Sequence, residues 1–118
     1  MNYKLINTEY LESVTGGEIS IITELVNMFK EQVIEIHTEM KTSHSERDYK
    51  QLGMLAHKAK SSVAIMGMSA LADMLQTFEY SAKSDLIPEM YEVYINRFYD
   101  DTQAAVIEFD EYLSKMTS

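Results

Sequence analysis

The feature that most limits what this chain can fold into is its shortage of helix breakers: one proline, Pro88, and four glycines in 118 residues. Glycine and proline punctuate a chain into short elements, so a chain this poor in them favours long helices. The apolar positions agree. Ile19, Ile22, Val26, Phe29, Val33, Ile36 and Met40 are spaced by threes and fours, which sets them along one side of a helix. Leu52, Leu55, Ala59, Ser62 or Val63, and Met66 form a second stripe, and Leu71, Met74, Leu75 and Phe78 a third. The longest runs through Tyr91, Tyr94, Phe98, Thr102, Ala105, Phe109, Tyr112 and Met116. Methionines and tyrosines on such stripes read as core rather than as a cofactor box. Strand-type alternation, internal repeats and low-complexity tracts are missing.

The connections carry their own signals. A short helix over Thr8–Val14 is predicted with Thr8 as its cap, and Gly16-Gly17 breaks the chain before the next helix. Lys41–Asp48 is polar and offers Ser43 and Ser45 as caps. Gly67 suits the left-handed residue that ends a helix, with Ser69 capping the next one. Asp85 is placed to cap the last helix, whose first turn tolerates Pro88. Together these predict an all-α fold: an antiparallel up-and-down four-helix bundle with a short extra N-terminal helix over one end. Residues 1–118 are a normal length for one domain. A monomer is expected, because one internal core consumes the stripes.

Composition excludes several function classes. There is no cysteine, hence no disulfide framework, thiolate nucleophile or cysteine-based zinc site. The start, Met1-Asn2-Tyr3-Lys4-Leu5, is unlike a signal peptide, and no apolar run is long enough to span a membrane, so a cytoplasmic protein is expected. A chain that begins at Met1 and stops soon after its last helix is expected to be free-standing. With 10 basic and 19 acidic residues the net charge is −9, which disfavours nucleic acid as a partner. Arg47, Lys50, Lys58 and Lys60 against Asp48 nonetheless make the segment from 47 to 60 locally basic. Such an island fits either a solvated helix face or a place that handles an anion.

The chain has three histidines, His37, His44 and His57. Di-iron bundles use Glu-x-x-His pairs, but the residues three before these histidines are Ile34, Lys41 and Met54. No two histidines are three or four apart, so no metal site and no cofactor are expected. Gly-x-Ser-x-Gly and glycine-rich phosphate motifs are missing as well. His57 stands out by its neighbours. On a helix its face holds Gly53, Lys60, Ser61 and Ala64, largely away from the apolar stripe, so the ring is predicted to be exposed among small residues beside a lysine. Gly53 costs a helix about 1 kcal/mol relative to alanine. Close approach by another molecule is one reason to accept that cost; ordinary tolerance of a glycine is the other.

The stretch Ala56-His57-Lys58-Ala59-Lys60-Ser61-Ser62-Val63-Ala64-Ile65-Met66-Gly67 resembles the signature of histidine-containing phosphotransfer (HPt) domains. That signature is His-x-x-Lys-Gly, then small residues and a second glycine ten past the histidine. The resemblance extends over roughly Thr8 to Met116. It implies that His57 accepts the phosphoryl group, that Lys60 helps to hold it, and that Gly67 is the second glycine. It also implies that Glu79, twenty-two past the histidine, bonds the imidazole. The family's first glycine is Ser61 here, which adds a side chain where a partner docks, and its leucine two past the histidine is Ala59.

The implied chemistry is physically coherent. Glu79 would accept a hydrogen bond from Nδ1–H, fixing the tautomer and leaving Nε2 free to attack phosphorus. Lys60, with Lys58 beside it, would offset charge on the phosphoryl oxygens. The chain offers no ATP site, so it would act as a carrier and not as an enzyme. The phosphoryl group would come from a response-regulator receiver domain or a hybrid sensor histidine kinase, whose own magnesium and acidic pocket supply most of the catalysis. The docking face is expected around His57, from Gly53, Met54, Lys58, Ser61, Ala64 and Met68. A helical adaptor that binds a signalling partner without being phosphorylated is the alternative, as is phosphoryl chemistry at His37 or at His44, the latter in an expected loop.

Overall fold

A computed structural model describes residues 3–117. Five α-helices account for most of it: α1 (Thr8–Thr15), α2 (Ile19–Ser45), α3 (Tyr49–Ile65), α4 (Ser69–Lys83) and α5 (Tyr91–Met116). Among the described residues there is no strand. Helices α2 to α5 pack in cyclic order, each against its two neighbours, and α1 lies against α2. This is the expected four-helix bundle with a short extra helix. The result is a rod of 47 × 20 × 19 Å.

The stripes become the core. Ile22, Val26, Phe29, Val33, Ile36 and Met40 of α2 are buried, as are Leu52, Leu55, Ala59 and Val63 of α3. Leu71, Leu75 and Phe78 of α4 meet Tyr91, Phe98, Ala105 and Phe109 of α5 in the same interior. Ile19, the first residue of α2, stays exposed. The N-terminal segment is tied to α5, where Glu108 Oε1 accepts from the amides of Leu5 at 3.0 Å and Ile6 at 3.2 Å.

The caps differ from expectation. Asn7, not Thr8, caps α1, its side chain accepting from the Tyr10 amide at 3.0 Å. Helix α2 runs through the polar stretch to Ser45, with Ser43 buried on its inner side, so neither serine caps α3. Asp48 does, accepting from the Gln51 amide at 3.1 Å. Ser69 is the first residue of α4 rather than its cap, and Met68 in the cap position makes no side-chain bond. Asp85 does not cap α5. The Leu86 amide bonds back to Ser81 O at 2.9 Å, which winds the end of α4 into the loop, and Asp85 takes a left-handed φ of 53°. Pro88 instead opens a short 3-10 turn, Pro88–Met90, that leads into α5.

Gly67 does end α3 in the left-handed region, at φ 79°. The Met68 amide reaches Val63 O at 3.0 Å and the Gly67 amide reaches Ala64 O at 3.0 Å, which satisfies carbonyls that a helix end leaves open. With only residues 66–68 between them, α3 and α4 must run antiparallel, and their side chains meet along their length.

Candidate functional site

The site lies on the α3–α4 pair, and small residues explain why these helices can approach. Gly53, Ala56 and Ala59 are all buried on the inner side of α3. At Gly53 the approach is closest: an added Cβ would lie 2.6 Å from Lys83 Cγ and 3.4 Å from the Glu79 carbonyl oxygen. The missing side chain is therefore replaced by α4 of the same chain, not by a second molecule. This corrects the expectation that Gly53 belongs to an exposed docking face.

His57 follows directly after buried Ala56, so its ring leaves the packed side and reaches solvent; the side chain is 57% exposed. Glu79 follows buried Phe78 on α4 in the same way, and its side chain is 16% exposed. The two side chains meet at the border, with His57 Nδ1 3.1 Å from Glu79 Oε1. Lys60 Nζ lies 3.6 Å from the same oxygen. Lys83 Nζ donates to the other oxygen, Oε2, at 2.7 Å. One carboxylate thus gathers an imidazole and two ammonium groups. The Lys83 hydrogen bond, more than any other contact, holds the Glu79 carboxyl below its usual proton affinity; burial opposes this and the His57 bond adds to it.

A carboxylate can only accept, so in the neutral ring the hydrogen belongs on Nδ1. The Nε2 lone pair then points away from Glu79, outward from the bundle. Chemically this is an oriented, accessible nitrogen nucleophile with cations beside it. A shallow pocket of about 250 Å³ adjoins it, lined by Lys60, Gln76, Glu79, Tyr80 and Lys83.

Of the other expected site residues, Met54, Lys58, Ser61 and Ala64 are exposed on α3. The Ser61 hydroxyl turns back onto its own helix and donates to His57 O at 3.3 Å, so the added side chain does not project toward a partner. Met68 is 3% exposed and offers no surface, contrary to expectation. It lies beyond the left-handed turn at Gly67, where a helical projection from His57 no longer applies. Lys83 was not anticipated. Its signal was present, since it stands four residues after Glu79 on one helix face, the favourable order for an acid–base pair.

The other histidines are differently placed. His37 stacks on Tyr99 with ring centroids 4.2 Å apart, and its proton affinity is lowered chiefly by burial and then by Lys41. His44 lies in the last turn of α2 and not in a loop. Among the described residues, no group of three or more histidine, aspartate or glutamate side chains could hold a metal ion, and no helix is long and apolar enough to cross a membrane.

The family model described as "Hpt domain" matches residues 24–114, from early α2 nearly to the end of α5. No curated protein and no solved structure matches the chain.

Proposed function

The chain belongs to the Hpt domain family, the phosphocarrier modules of two-component signalling, and from that premise we propose that it carries a phosphoryl group reversibly on Nε2 of His57 within a multistep relay. The observation that carries this reading is the exposed His57 ring held through Nδ1 by Glu79, with Lys60 alongside. In the forward step Nε2 attacks the phosphorus of a receiver's aspartyl phosphate. The N–P bond forms as the O–P bond breaks, and the aspartate leaves as a carboxylate. The imidazole gains positive charge in the step, and Glu79 faces it. Lys60 offsets charge on the phosphoryl oxygens. The reverse step uses the same contacts, which suits a carrier.

Exposed Met54, Lys58, Ser61 and Ala64 supply the face on which the receiver, or a hybrid sensor kinase, docks. Residues 1–118 act in this reading as one monomeric cytoplasmic module.

The test is direct. The protein is incubated with a phosphorylated receiver and the label on the chain is examined for the acid-labile, alkali-stable behaviour of phosphohistidine. The expected result is such a label on the wild type and none on His57→Gln. Label that survives His57→Gln removes the site, and a wild type that takes no label from a panel of receivers leaves only a binding role.

A further inference from the structure

Glu79 has two oxygens with unequal partners. Oε2 takes a short hydrogen bond of 2.7 Å from Lys83. Oε1 faces His57 Nδ1 at 3.1 Å and Lys60 Nζ at 3.6 Å, a distance at which the ammonium is near but not hydrogen-bonded. A carboxylate on a helix surface is free to rotate about several torsions unless something fixes its plane. His57 and Lys60 approach it from α3, and Lys83 from one turn further along its own helix. Of these, only Lys83 combines a short charged hydrogen bond with a stem that is itself confined, because that stem fills the space left by the missing side chain of Gly53.

We propose that Lys83 is a positioning residue of the site: seated on Gly53, it holds Glu79 by one oxygen so that the other sets the tautomer of His57, and Lys60 is left as the cation that serves the phosphoryl group. This rests on the reading of His57 as the acceptor. Lys83 acts through Glu79 and touches neither phosphorus nor the reacting nitrogen. The role also accounts for a glycine inside α3 despite its cost to the helix: a side chain at position 53 would displace the Lys83 stem from its seat against α3.

The test uses the full chain. Lys83→Met keeps most of the stem and removes the charge. Imidazole nitrogen NMR reads the His57 tautomer, carboxyl carbon NMR reads the titration of Glu79, and stopped-flow or gel assays read transfer from a phosphorylated receiver. In Lys83→Met the Nδ1–H tautomer of His57 is expected to lose population, the Glu79 titration to move upward, and transfer to slow about tenfold, the scale on which partners that orient a functional imidazole act. Lys83→Arg is expected to restore all three. Gly53→Ala is expected to slow transfer in the wild type but to add nothing in a Lys83→Ala background, where the displaced Cγ is gone.

Unchanged tautomer populations and unchanged transfer in Lys83→Met overturn the inference, as does an equal effect of Gly53→Ala in both backgrounds. Phosphoryl label persisting in His57→Gln overturns the acceptor reading instead, and the two NMR readouts, which need no phosphoryl donor, still decide whether Lys83 positions Glu79.

Discussion

His57 and Glu79 stand twenty-two residues apart in sequence and 3.1 Å apart in space. The contact arises because each follows a buried residue, Ala56 or Phe78, on antiparallel helices that small side chains allow to close up. The chemical identity of the acceptor at position 79 therefore decides which imidazole nitrogen carries the hydrogen. Glu79→Gln is expected to slow transfer about tenfold. Its one oxygen is drawn to Lys83, which turns the NH2 toward Nδ1 and selects the tautomer whose outward nitrogen is protonated. Adding Lys83→Met should recover much of the loss by releasing the amide to rotate. A double variant as slow as the single one, in the same transfer assay, would contradict this account.

A bulky residue at position 64 checks the proposed docking face. Ala64 is exposed on α3, two turns beyond His57. Ala64→Trp is expected to leave the melting temperature within a degree or two, since a surface change of this kind costs at most about 0.5 kcal/mol. Transfer from a cognate receiver should fall sharply. Undiminished transfer would move the docking face elsewhere.

Backbone strain is concentrated in the loop before α5. Ile87 has φ 49°, a left-handed conformation that a β-branched residue resists, and the residue is 53% exposed. Relief of about 1–2 kcal/mol of strain, less the extra unfolded-state freedom of glycine, leaves Ile87→Gly stabilising by roughly 0.5–1 kcal/mol. Denaturant titration measures this, and a lower midpoint for the variant would show that the apolar side chain matters more than the backbone.

The pH dependence of stability should carry a signature of His37. Burial and Lys41 lower its proton affinity in the fold, with Asp100 opposing. The unfolded chain then binds more protons than the folded one below the ordinary histidine value of about 6.5. The contribution of the neutral ring is present above that value, is lost as pH falls below it, and levels off once the folded ring also titrates. His37→Phe keeps the stacking on Tyr99 and removes the titration. Its melting temperature should fall less than that of the wild type between about pH 7 and 5. Parallel curves would exclude His37 as the source.

The fold was readable because long stripes at helical spacing leave few arrangements. The helix ends were not. Asn7 and Thr8 both suit a cap, and only backbone geometry chooses Asn7. The stretch before Asp48 is polar enough to read as a loop, yet Ser43 packs inward and carries α2 on to Ser45.

Within the site, His57, Lys60 and Glu79 were legible from a family signature and from spacing. At Gly53 the sequence shows that a side chain is missing but not that Lys83 of the same chain fills the gap. Lys83 is not reached by a reading centred on the face of His57, because the carboxylate's strongest partner lies on the carboxylate's own helix. Met68 lies beyond the end of α3 at Ile65, where helical spacing from His57 no longer fixes which way a side chain faces.

Gly67 joins the two helices that carry His57 and Glu79, and at its bare Cα it meets α1. An added Cβ there would lie 3.1 Å from Tyr10 Cδ2 and 3.2 Å from Asn7 Cβ. The cap and first turn of the small helix thus rest on the hinge of the hairpin like a thumb on a clasp. Splaying the hairpin at its bend would mean lifting that thumb, so the turn between the helices of the imidazole and the carboxylate is braced from outside the pair.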